Sequence, residues 1–134
     1  MKNIYEKIAE NKKTGEIEFF IKERRDDCVI STMPVKEGIL NPFGTVHAGA
    51  MLWLADVTAT VLALGNVEIG PDGKGFPLAI NLNTSLIGNQ REGKIRAEAR
   101  FVHSGKRVKV VRTRVTGDTG QLLAEVTTTH IPAT

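Results

Sequence analysis

Asp56 is the only charged residue between Glu37 and Glu68. It lies inside the apolar run from Ala48 to Leu64. Burying an unpaired carboxylate is costly, so its presence there calls for a reason. One reading is a helix aspartate satisfied by a nearby hydroxyl or backbone N–H. The other, which we favour, is a functional acid in a cleft. A carboxylate so placed can act as a general base on water or as a nucleophile. Eight residues earlier, Ala48 and Gly49 open the run, just after the turn formers Asn41-Pro42 and Gly44. If the run is a helix, its first N–H groups lack intrahelical partners and carry partial positive charge. Such donors suit a negatively charged group.

The run has no proline, no glycine after Gly49, and is rich in Ala and Leu, which favour helix. Apolar residues occupy nearly every position, as in a helix buried on all sides. Asp56 at its middle argues against a membrane span. Residues 2–13 suggest a short polar helix, and residues 16–22 a strand. Residues 24–27 read as a turn, and residues 28–35 as a second strand ending near Pro34. The glycine-rich stretch from Gly65 to Pro77 reads as a long loop or rim. Four segments of period two follow, near 78–87, 94–101, 108–116 and 122–131. In the first, Leu78, Ile80, Leu82, Thr84 and Leu86 share one side. The third slips phase at Val110-Val111, as a bulge would make it do. The expectation is an α+β chain, with a four-strand antiparallel meander wrapped around one long helix. One small sheet cannot cover a helix apolar on every side, so the reading calls for an obligate homo-oligomer.

At 134 residues the chain is expected to be one domain, 1–134, large enough for a real core. Cys28 is the only cysteine and the N-terminus lacks the apolar core of a signal peptide. A cytoplasmic location is the expectation, since a chain without paired cysteines fits a reducing compartment. His47, His103 and His130 are far apart in sequence, so metal binding has little support and no cofactor is expected. Residues 91–114 hold nine Lys and Arg against Glu92 and Glu98, a surplus of seven. The remainder is then at −4 within an overall +3. A solvated sheet face explains most of these charges. Nucleic-acid binding is disfavoured, because one Trp, one Tyr and five Phe give little to stack on.

Asn41…Gly44…His47-Ala48-Gly49…Leu54-Ala55-Asp56 resembles the N-x-x-G-x-x-H-G-G-x-x-x-x-L-x-D signature of PaaI-like (phenylacetic-acid-degradation type) hotdog-fold thioesterases. The order of elements agrees along nearly the whole chain. The tail from Gly105-Lys106 to Gly120-Gln121-Leu122-Leu123-Ala124 is also similar. The resemblance implies a hotdog fold and metal-independent hydrolysis of acyl-CoA thioesters by dimers, often paired into tetramers. It places Asp56 at the catalytic carboxylate and Ala48 at the residue whose N–H polarises the thioester carbonyl. It places His47 where it positions that loop, and Asn41 where it helps hold the water or acyl group. Thr60 falls where some members orient the water. Others use a serine on the next strand, where this chain has Gly88, with Thr84 and Ser85 near. The usual His-Gly-Gly is His-Ala-Gly here, which matters only if that position needs positive φ or a very close approach.

Ala48 and Asp56 would stand ~12 Å apart along one helix, too far to act on one carbonyl. The expectation is therefore an active site shared between two subunits. Lys106 and Arg107, at a hairpin turn, are the first candidates for CoA phosphates, with Arg91 next. Gly49 and Phe43 are substrate-binding candidates, and Trp53 is read as core. His103 and His130 are read as ordinary strand residues. A hotdog domain that binds acyl-CoA without cleaving it is the alternative. The acyl group, small or medium and aliphatic or aromatic, stays open.

Overall fold

The computed structural model describes residues 15–134 together with Glu6 and Glu10. The helix expected over 2–13 otherwise lies outside the described residues. Strand β1 (Phe20–Arg24) turns back into β2 (Cys28–Pro34), and a short 3-10 turn (Glu37–Ile39) leads to the loop before helix α1 (Ala48–Leu64). A second 3-10 turn (Pro71–Gly73) lies in the following loop. Then come β3 (Pro77–Leu86), β4 (Lys94–Ser104), β5 (Lys109–Thr116) and β6 (Leu122–Pro132).

All six strands form one antiparallel sheet in the order β1-β2-β4-β5-β6-β3. The sheet packs against α1, giving the hotdog architecture. The four-strand meander needs correcting. Only β4, β5 and β6 run as neighbours, while β3 pairs with the far side of β6 and β2 lies beside β4. Alternation decides which residues face inward, but it does not decide which strands pair.

The inner strands send mostly small or branched residues to the helix, while β1 is exposed throughout. Val29, Ser31 and Met33 come from β2, Ile95, Ala97 and Ala99 from β4, and Val111, Thr113 and Val115 from β5. Across from them, Ala50, Met51, Leu54, Ala55, Thr58, Ala59, Leu62 and Ala63 are the buried residues of α1. Alanines on both sides let the helix approach the sheet closely. The opposite face, with Trp53, Asp56, Val57, Thr60, Val61 and Leu64, stays partly open in one chain.

Three local expectations shift. The first strand begins at Phe20, because Phe19 instead packs edge-on against Trp53 at 5.4 Å. The irregularity expected at Val110-Val111 falls on β4, between Phe101 and His103 opposite them. Lys109 takes an inward position across from His130, and its Nζ donates to the Ala63 carbonyl at the helix end (3.0 Å). That lysine breaks the apolar alternation without a bulge in β5. A bulge in β3 between Ala79 and Asn81 changes its phase. Directly opposed residues share a face, so Ala79, Leu82, Thr84 and Leu86 face inward and Leu78 does not.

Candidate active site

The helix N-terminus is held by a closed loop. Leu40 and Val46 form a bridge, Asn41 N–H donates to Thr45 O (2.8 Å), and His47 N–H donates to Ile39 O (2.8 Å). Gly44 turns the loop at φ 79°, a conformation side chains disfavour. The Asn41 carboxamide stitches it from inside. Its Oδ1 accepts from Phe43 N (2.9 Å) and Thr45 N (3.1 Å), and its Nδ2 donates to Thr45 Oγ1 (2.7 Å).

His47 is the N-cap residue, with its side chain making no capping bond. Its carbonyl accepts from Ala50 N (3.0 Å) and Met51 N (3.3 Å). The N–H groups of Ala48 and Gly49 find no acceptor among the described residues. Ala48 does not have positive φ, so alanine suits the position where the usual motif has glycine. The helix thus opens with two free, aligned donors.

Asp56 and Thr60 are one turn apart on the half-open face of α1. They border a shallow depression of about 330 Å³ with Val57, Val61, Leu64 and Phe76. Neither the Asp56 carboxylate nor the Thr60 hydroxyl has a hydrogen-bond partner among the described residues. By contrast, Thr58 on the buried face bonds Ser31 Oγ (2.5 Å) and donates to Leu54 O (2.6 Å). Thr84 is inward on β3, and its Oγ1 is buried without a partner among the described residues.

The chain matches the thioesterase superfamily over residues 43–124. That span begins within the loop and takes in the helix and most of the sheet. The chain belongs to the thioesterase superfamily. It is 33% identical to the 1,4-dihydroxy-2-naphthoyl-CoA hydrolase of Listeria monocytogenes, over 68% of this chain and 71% of that one. The Escherichia coli enzyme of the same name is 25% identical over 86% and 82%. Among solved structures, a Staphylococcus aureus thioesterase superposes with TM-score 0.80 at 25% identity, covering 87% of this chain and 93% of that one. A phenylacetic acid degradation-related protein of Ralstonia eutropha gives 0.75 at 26%, covering 84% and 83%. The protein is a thioester hydrolase with a hotdog fold.

The remaining candidates separate into groups in this thioesterase. Lys106 and Arg107 line a pocket of about 160 Å³ at the far end of α1, with Ala63, Lys109 and His130. His130 is buried, and burial pushes its imidazole below the ordinary histidine range. Its Nε2 lies 2.8 Å from Thr128 Oγ1. Arg91 donates through Nη1 to Phe43 O (2.7 Å), so it is tied to the motif loop. Phe43 is 60% exposed on that loop. Most other charges of the basic stretch lie on the outer sheet face, where Arg100 meets Glu98 (3.0 Å) and Arg112 meets Glu125 (3.1 Å). Among the described residues no group of three or more His, Cys, Asp or Glu could hold a metal, and no helix is long and apolar enough to cross a membrane.

Nothing in the local sequence marks Asn89. Its Oδ1 accepts from Val46 N (3.0 Å) and its Nδ2 donates to Val46 O (2.8 Å). It lies in Gly88-Asn89-Gln90-Arg91-Glu92-Gly93, which reads as an ordinary polar loop. Only the order of the strands brings it to the helix N-terminus.

Proposed function

We propose that the protein hydrolyses acyl-CoA thioesters at a site shared between two subunits. Asp56 acts as general base on a water, or as nucleophile, with Thr60 orienting that water. The Ala48 N–H receives the thioester oxygen, with Gly49 beside it and His47 and Asn41 holding the loop. Lys106 and Arg107 take the CoA phosphates, and Phe43 borders the substrate.

The observation that carries this reading is the separation of two unsatisfied groups on one rigid helix. A free carboxylate and a free N–H pair stand ~12 Å apart along α1. A reacting carbonyl needs both within roughly 3–3.5 Å. A second copy running antiparallel meets that need, bringing its own Asp56 to this chain's Ala48. The open face of α1 is apolar around Asp56, and β3 is an edge strand whose Leu78, Ile80, Leu82 and Leu86 are all exposed. An exposed apolar edge strand next to an uncovered helix face favours self-association. Val57, Val61, Leu64 and Phe76 suit an apolar acyl group. The two hydrolases of a naphthoyl-CoA among the relatives favour an aromatic one.

The experiment uses benzoyl-CoA and hexanoyl-CoA with a thiol-trapping reagent. Asp56→Asn and Ala48→Pro each lose nearly all turnover as pure proteins, with a measurable remainder. Unfolding and refolding them together gives mixed dimers with one intact site and restores part of the turnover. Mixed dimers that form and stay inactive rule out the shared site.

A further inference from the structure

We infer that Asn89 is a positioning residue for the carbonyl-binding N–H of Ala48, acting through the Val46 backbone. The inference rests on the reading above that this N–H receives the thioester oxygen.

The strand order sets up the contact. Residues 87–93 leave β3 at one edge and must reach β4, passing the ends of β6 and β5. Three strand spacings of about 4.8 Å make a crossing of ~14 Å. That crossing passes the end of the sheet where the motif loop sits.

The connector is a rigid strap. Ile87 N and Gly88 N both donate to Leu123 O (2.8 and 2.9 Å). A Cβ at Gly88 would lie 2.9 Å from Leu122 O, so the strap lies against the sheet end at a distance only glycine permits. Gln90 Nε2 donates to Glu92 O and Lys94 O (both 2.8 Å), and its Oε1 accepts from Asp118 N (3.1 Å).

From this anchored strap the Asn89 carboxamide pairs with both polar groups of Val46, as a neighbouring strand would. Gln90 O adds a longer bond to Val46 N (3.3 Å). Val46 itself is fully buried. The next peptide, His47–Ala48, carries the donor in question. Its orientation is thus set on one side by Val46 and on the other by the bonds from Ala50 and Met51 to His47 O. Arg91 holds the outer half of the same loop through Phe43 O. Preorganised donors act because they need no reorientation during the reaction, and misplacement by ~1 Å costs on the order of a hundredfold.

The test is a double-mutant cycle between Asn89→Ala and Ala48→Pro, with turnover of benzoyl-CoA per folded subunit as the readout. Asn89→Ala is expected to lower kcat about tenfold to a hundredfold and leave KM within about twofold. In the Ala48→Pro background, which has no N–H left to position, it is expected to change kcat little. Asn89→Asp keeps an acceptor for Val46 N–H, and provides a second variant showing the same split if the alanine protein folds poorly. Normal kcat per folded subunit, or an equal loss in both backgrounds, overturns the assignment to Asn89 and leaves the Ala48 role standing. Full turnover by Ala48→Pro alone overturns both.

Discussion

Thr60 lies one helical turn beyond Asp56 on the face of α1 that the sheet leaves open, and both border one depression that Phe76 also lines. The helix satisfies its one remaining polar side chain, the inward Thr58, and among the described residues these two find no partner. A carboxylate and a hydroxyl at this spacing can hold one water between them.

Asp56→Asn keeps the shape of the side chain and removes the proposed base or nucleophile. Turnover is expected to fall by roughly 10²–10⁴-fold, with the melting temperature little changed. Thr60→Val is expected to lose less, about tenfold, because the proposed role of Thr60 is to orient the water and not to take its proton. Steady-state assays paired with thermal melts check both.

Ala48→Pro isolates the proposed oxyanion donor. Ala48 is the first helical residue, and His47 before it has φ −58° and ψ 136°, a conformation a following proline accepts. The helix is therefore expected to persist while kcat falls by roughly 10²–10³-fold. Circular dichroism verifies the fold, and the assay reads the loss.

His130 makes stability depend on pH. Burial disfavours its charged form, and Lys109 opposes protonation further, while the Pro77 backbone and Asp56 favour it. The net shift is downward, so the unfolded chain takes up a proton at higher pH than the folded one. Its contribution is fully present above the unfolded value of about 6.5 and is lost as pH falls through it toward the folded value. Urea midpoints from pH 7.5 to 5 should decline in the wild type. The decline should be shallower in His130→Gln.

The Ser31–Thr58 hydroxyl pair joins β2 to the buried face of α1. Thr58→Val leaves Ser31 without a partner at zero exposure and is expected to cost about 1–3 kcal/mol. Adding Ser31→Ala is expected to recover part of that, since the orphaned Ser31 hydroxyl is then gone. Chemical denaturation of the single and double variants measures the difference.

The sequence by itself determined the helix and its bounds. Composition and breakers suffice to delimit Ala48–Leu64, and a lone acid in an apolar run is conspicuous without any coordinates. The motif around Asn41, His47 and Asp56 led to the right superfamily. Period-two patterning likewise located β3 to β6, because alternation is a local property of a half-buried strand. Only the tertiary structure decided strand neighbours, since pairing depends on which edges meet, and no local pattern encodes that. It therefore also decided that a plain polar connector crosses the sheet end and that Asn89 grips Val46. It tied Asn41 to its own loop and Arg91 to Phe43, contacts set by how the chain closes on itself. A hydrogen bond between residues 43 positions apart follows from the fold and leaves no periodic trace in the chain.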